Sequence, residues 1–233
     1  MEEIKKVPIS ELILYKDHHI VAVNKPSGMP SQEDPSGDKS VLRLAEIYTK
    51  QKLFLCNRLD RPVSGVILLG KSPRIQTIFQ DQMQQGLWKK SYIAIVPFEE
   101  ADFPTSLKHF VKKSGQKAQI RDDEAESYQA AELQCNSLAT SDKYRLLELR
   151  TGSGKFHQIR AQLAHAGYPI RGDVKYGARR SNKDRSIGLH AWKISLYHPI
   201  TQQEMNIVTP VPTHDIWPVF ASNIQALIQT QTN

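Results

Sequence analysis

The apolar positions of the chain fall into short blocks with two different periods, separated by polar and Pro/Gly-rich stretches. Residues 20–23 (Ile-Val-Ala-Val) and 66–69 (Val-Ile-Leu-Leu) are continuous apolar runs of strand length, which predicts strands buried on both faces. Residues 90–96 and 144–150 have strand propensity. Residues 191–197 alternate, with Trp192, Ile194 and Leu196 on one side. They predict a half-buried strand that turns at His198-Pro199 into a hairpin partner over 204–209. Helical spacing occurs at four places. Ser40 can cap a helix carrying Val41, Leu44, Ala45 and Tyr48 on one face. Ser72-Pro73 starts a second, with Ile75, Ile78, Phe79 and Met83 as its stripe and Gly86 as its stop. Ile159, Leu163 and Ala166 mark a third, closed by Gly167. Trp217, Phe220, Ile224 and Leu227 mark a last helix docked on the core, before a tail over 229–233 that is expected to fray.

Between 99 and 143 the pattern is poor. Basic residues (Lys108, His109, Lys112, Lys113, Lys117) precede an acidic run (Asp122, Asp123, Glu124, Glu126), which predicts solvated faces on irregular strands and loops rather than a separate domain. Residues 1–14 read as a lead-in and 15–228 as one domain, large enough for a sizeable core. Residues 32–39 are polar and acidic and are expected to form a mobile loop. The two cysteines, Cys56 and Cys135, show no CxxC or zinc spacing, which points to a reducing compartment. No apolar stretch approaches a membrane span, and the start has no signal-peptide pattern, so a cytoplasmic protein is expected. The 31 Lys+Arg exceed the 24 Asp+Glu, a net charge of +7 that fits a polyanionic partner.

Candidate chemistry concentrates in Asn57-Arg58-Leu59-Asp60-Arg61-Pro62-Val63-Ser64-Gly65, directly before the run 66–69. An acidic residue between two arginines sits in a positive field, which favours its ionised form. Pro62 fixes one backbone angle and Gly65 permits an unusual one, so the stretch reads as a shaped loop feeding a buried strand. On residue types alone, a surface ion pair beside a hydrophobic strand is the more ordinary reading. Asn24-Lys25-Pro26-Ser27-Gly28 reads as a turn. The Gly-rich loop 151–156 lacks the spacing of a phosphate-binding Walker motif.

The order of the motifs resembles the RluA-type pseudouridine synthases, in the short form that lacks an S4 domain before Tyr15. Arg58-Leu59-Asp60, with Ser64-Gly65 and an aliphatic run, matches the catalytic motif. Lys25-Pro26-Ser27-Gly28, Lys90-Ser91-Tyr92, Gly154-Lys155-Phe156-His157-Gln158-Ile159-Arg160, the run 167–177, Leu189-His190-Ala191 and His198-Pro199 match in sequence order. Asn57, Val63 and Lys155 depart from the usual His, Thr and Arg. The resemblance implies an α+β fold with a central, mostly antiparallel mixed sheet flanked by helices and loops, and an RNA cleft across the sheet. It implies isomerisation of a uridine flipped out of structured RNA, ribosomal or transfer, by a monomer without cofactor or metal.

Under that resemblance Asp60 is the catalytic carboxylate and Lys155 its paired cation. Tyr92 is the stacking ring, and its hydroxyl is a candidate to take the C5 proton. Arg58 fills the gap left by the flipped base, Arg61 is a further substrate-side cation, and Ile159 and Leu189 wall the uracil pocket. Lys90, His157, Gln158 and Arg160 support the site. Two other readings stay open at this level. One is an RNA-binding module of the same fold without catalysis. The other is an Asp-dependent nucleoside or glycoside hydrolase, a class that commonly needs a second carboxylate.

Overall fold

The computed structural model describes residues 7–152 and 154–232. In chain order its elements are α1 (Ile9–Leu12), β1 (Ile13–Lys16), β2 (Ile20–Lys25), α2 (Val41–Thr49), β3 (Phe54–Leu55), β4 (Ser64–Gly70), α3 (Pro73–Gln84), β5 (Lys89–Pro97), β6 (Ser106–Ser114), β7 (Lys117–Arg121), β8 (Gln129–Thr140), β9 (Tyr144–Thr151), α4 (Gln158–His165), β10 (Leu189–Tyr197), β11 (Glu204–Val208) and α5 (Ala221–Thr232). The class is α+β, with a mixed, mostly antiparallel sheet and flanking helices, as expected. The chain divides into two compact units, Met1–Trp88 with Lys193–Pro210 and Lys89–Trp192 with Val211–Asn233.

In the first unit β4 is buried at every position, and Val66 to Leu69 are fully inaccessible. It pairs antiparallel with β2, from Ile20 opposite Gly70 to Lys25 opposite Gly65. β1 adds to β2, and β11 pairs with the Lys193–Tyr197 part of β10. The caps read from the sequence are present: Ser40 Oγ accepts from Arg43 N–H and Ser72 Oγ from Ile75 N–H. Helix α3 lays Ile75 and Phe79 against Ala22, Val66, Leu68, Ile194 and Ile207, with Trp88 edge-on to Phe79 at 5.3 Å. Burying one ring of that size contributes about 1.5–3 kcal/mol.

In the second unit β5 pairs antiparallel with β9, β9 with β8, β8 with β6, and β6 with β7. The stretch 99–143, expected to be irregular, therefore holds three regular strands. Its inward positions are Leu107, Val111, Ala118, Ala131, Leu133 and Cys135. Small and medium residues give a weak period-2 signal, and the outward charges hide it. They also admit α4, whose Ala161 packs on Val111, Ala118 and Ala131. Trp217, Phe220, Ile224 and Leu227 are all buried, as their spacing predicts.

Two boundaries differ from expectation. The lead-in is not featureless, since α1 and β1 occupy positions 9–16, and residues 1–6 lie outside the described part. Helix α5 continues to Thr232 across the segment expected to fray, with Asn233 outside the described residues.

Candidate active site

The loop before β4 is fastened through its main chain by buried and half-buried polar side chains. Ser31, 5 % exposed, donates its hydroxyl to Leu59 O at 2.7 Å and accepts Leu59 N–H at 3.1 Å. Asn57 acts as a substitute strand residue: its Nδ2 donates to Val66 O and its Oδ1 accepts from Leu68 N–H at 2.7 Å. Val63 N–H donates to Asp60 O at 3.0 Å and closes a turn over Arg61-Pro62. Gly65 takes φ 126°, which a side chain would resist. Leu59 and Val63 point inward and Arg58 is exposed, while Asp60 is half-buried between them.

Lys25 completes this loop, and nothing in its Lys-Pro-Ser-Gly context announced that. Its side chain is fully buried at the end of β2. Nζ donates to Pro26 O at 3.0 Å, Met29 O at 2.9 Å and Arg61 O at 3.2 Å. Three carbonyls match the three ammonium hydrogens. Burial lowers its pKa from 10.5 to about 7, while the Asp60 carboxylate nearby acts in the opposite direction and Arg61 adds to the lowering. Asp60 therefore has a buried ammonium in its own unit. Arg61 is engaged elsewhere: its guanidinium pairs with Asp34 at 3.3 Å and with Asp38, and donates to Ser36 Oγ at 2.7 Å. The acidic loop 32–39 is thus tied to Arg61.

The remaining sequence-predicted residues belong to the second unit. Tyr92 lies on β5 opposite Leu149, half-buried between the buried Ser91 and Ile93. Lys90 sits two positions earlier, its ammonium destabilised by burial. A Cβ on Gly154 would come within 3.2 Å of Lys90 Nζ, so this glycine leaves room for the ammonium. Lys155 N–H donates to Gln158 Oε1 at 3.3 Å, and Gln158 Nε2 donates to Glu132 O and Thr151 Oγ1.

His157 begins α4 with φ 53°, and its ring stacks on Phe156 with centroids 3.8 Å apart. His157 Nδ1 lies 2.8 Å from Tyr176 Oη, which accepts Ala118 N–H at 2.7 Å. Arg160 makes a buried two-bond pair with Asp173 at 2.6 and 2.8 Å and lies over the Tyr176 ring. His157, Gln158 and Arg160 thus support the start of α4 through directed bonds. Ile159 and Leu189 are buried. Among the described residues no helix is long and apolar enough to cross a membrane.

Residues 19–165, which include Lys25, the Asp60 loop, Tyr92 and the α4 start, match the RNA pseudouridylate synthase family. The chain is 31 % identical over 224 residues to the tRNA pseudouridine synthase C of Haemophilus influenzae, covering 84 % of this chain and 90 % of that protein. It is 35 % identical over 219 residues to the protein of the same name from Salmonella typhi, covering 84 % and 83 %. Among solved structures, human RNA pseudouridylate synthase domain containing 1 shares the fold with a TM-score of 0.75. That likeness covers 94 % of this chain and 93 % of the human one at 18 % identity. The chain belongs to the RNA pseudouridylate synthase family. It is an isomerase that converts uridine to pseudouridine within RNA.

Proposed function

We propose that the substrate is a uridine in transfer RNA and that Asp60 is the catalytic residue. The tRNA pseudouridine synthases that match most of the chain support the first part. The second part rests on one observation: the main chain on both sides of Asp60 is fixed by Ser31, by Lys25 and by the Asp60–Val63 turn. A carboxylate there is presented at a set point.

The reaction breaks the bond between N1 and C1′, turns the uracil and joins C5 to C1′. It is redox-neutral and consumes no water. Asp60 acts as the base or nucleophile that initiates bond cleavage. The uridine leaves its stack first, and an aromatic face compensates with roughly 1–3 kcal/mol per base. Tyr92 is the ring proposed for this, with its hydroxyl as acceptor for the C5 proton. Arg58, exposed beside Asp60, is proposed to occupy the space the base vacates. Ile159 and Leu189 supply apolar walls, and Lys155 a second cation for the site.

Asp60→Asn keeps the shape and removes the charge. Pseudouridine formation in a single-turnover assay should fall by at least about 10³-fold, with melting temperature and RNA affinity retained. Turnover near that of the unaltered protein would refute the assignment. Mapping pseudouridine in cellular RNA with and without the gene tests the substrate. Loss at one tRNA position is expected, whereas loss confined to ribosomal RNA would refute the tRNA reading.

A further inference from the structure

Three donor atoms remote in sequence from the Asp60 loop converge on the second unit. His109 lies on β6, Asp122 follows the end of β7, and His165 is the last residue of α4. His165 Nε2 is 2.9 Å from Asp122 Oδ1, and His109 Nε2 is 3.7 Å from the same oxygen. The three ligand atoms all lie within 4.8 Å of one another. Ligands held tetrahedrally at about 2.0–2.1 Å from a zinc ion stand about 3.3 Å apart, so small side-chain movements would close the set on a cation. The two imidazole planes are nearly perpendicular, with centroids 5.0 Å apart.

Gln162, fully buried on α4 one turn before His165, has its Nε2 3.1 Å from Leu107 O, 3.1 Å from Ala131 O and 3.2 Å from His109 Nδ1. Two amide hydrogens satisfy the two carbonyls, which leaves the imidazole contact surplus. Oε1 of the same amide is buried and has no partner among the described residues. His109 thus lies against the buried Gln162 amide through Nδ1 and faces Asp122 with Nε2.

We propose that His109, Asp122 and His165 bind a divalent transition-metal cation of the zinc class, with water in the remaining position. Two imidazoles and a carboxylate suit Zn(II), Co(II) and Ni(II) better than Mg(II) or Ca(II). The cation would clip the end of α4 to β6 and to the turn after β7. It has no part in moving the uracil. Its effect is to secure the helix that begins at Gln158.

The full chain, stripped with a chelator, is titrated with Zn(II) by calorimetry and with Co(II) by visible absorption. One equivalent should bind saturably, Co(II) should give the intense bands of a tetrahedral nitrogen–oxygen site, and Zn(II) should raise the melting temperature. Losing an outer-shell partner costs about 10–100-fold in affinity, and losing a ligand should cost more. His165→Ala and Asp122→Asn alter exposed side chains and should each weaken Zn(II) by over 100-fold, with melting in chelator unchanged. His18→Ala, outside the cluster, should bind as the unaltered protein does. Absence of saturable binding, or equal affinity in Asp122→Asn and the unaltered protein, would overturn the proposal and leave an ordinary His–Asp ion pair.

Discussion

The two loops that carry the family's charged residues are held in opposite ways. The Asp60 loop is gripped by its main chain, through buried Ser31 and Lys25 and half-buried Asn57, none of which neighbours it closely in sequence except Asn57. The loop before α4 is gripped by the side chains of its own motif: His157 on Tyr176, Gln158 on Glu132 O and Thr151, and Arg160 on Asp173. In the first case the groups that hold the main chain are other residues than Asp60. In the second, motif and scaffold are the same residues. Substitutions should therefore act mainly as chemical changes at Asp60 and as mixed structural and chemical changes around His157. The grip on the Asp60 loop also comes from residues whose loss the core would feel.

Lys25→Met tests the comparison hardest. It keeps the length of the stem and strands three buried carbonyls and the Asp60 charge. Breaking a buried charged arrangement costs about 3–5 kcal/mol, read as a shift in urea midpoint. The pH dependence carries a signature. Folded Lys25 loses its proton near pH 7, while the unfolded chain keeps it to about 10.5. Between those values the unfolded state binds more protons, so this residue makes stability rise from pH 7 toward 10.5, and the gain is lost as pH falls to 7. The rise should be absent in Lys25→Met. An equal slope in both proteins would mean that Lys25 does not titrate in this range.

Asn57→Ala should come next, at about 1–3 kcal/mol, because it orphans Val66 O and Leu68 N–H at the edge of a fully buried strand. Tyr176→Phe, in the second unit, should cost about 1–1.5 kcal/mol by removing the hydroxyl between His157 and Ala118 N–H. The comparison predicts that Asn57→Ala leaves turnover per folded molecule nearly unchanged while Tyr176→Phe lowers it. Denaturant melts paired with single-turnover rates check both. The reverse order would show that the α4 loop is the more independent of the two.

These differences explain what could be read in advance. Strand β4 and the starts of α2 and α3 were legible because their signals are local: a run of aliphatics, a serine cap, a Ser-Pro pair. Resemblance drew attention to His157, Gln158 and Arg160, and in the fold each makes directed hydrogen bonds. Lys25 was not, because its burial depends on Arg61 O, 36 positions away, and a Lys-Pro turn in isolation belongs on a surface. Arg61 read as a cation for the substrate, yet in the fold it meets Asp34 and Asp38 of a loop expected to be mobile. The strands β6 to β8 hid behind alternating charges. For Lys25 and Arg61 the deciding partners are polar groups remote in sequence, and no short window contains them.

The smallest expected effect separates two cations. The family pattern assigns the partner of the catalytic carboxylate to Lys155, while the geometry of the first unit supplies Lys25. A cation close to a carboxylate favours the ionised form, so its removal should move the acid limb of a pH–rate profile upward. Lys155→Met keeps much of the stem and removes the charge. Its limb should rise by less than about one pH unit, since an ammonium in a partly hydrated loop contributes about 1 kcal/mol. Lys155→Arg should keep the limb in place, because the charge remains and the planar fork adds directional bonds. All three proteins are compared on one RNA under single-turnover conditions, so that binding and product release do not mask the limb. An unmoved limb in Lys155→Met, with Lys155→Arg and the unaltered protein superimposed on it, would leave Lys25 as the cation that sets Asp60.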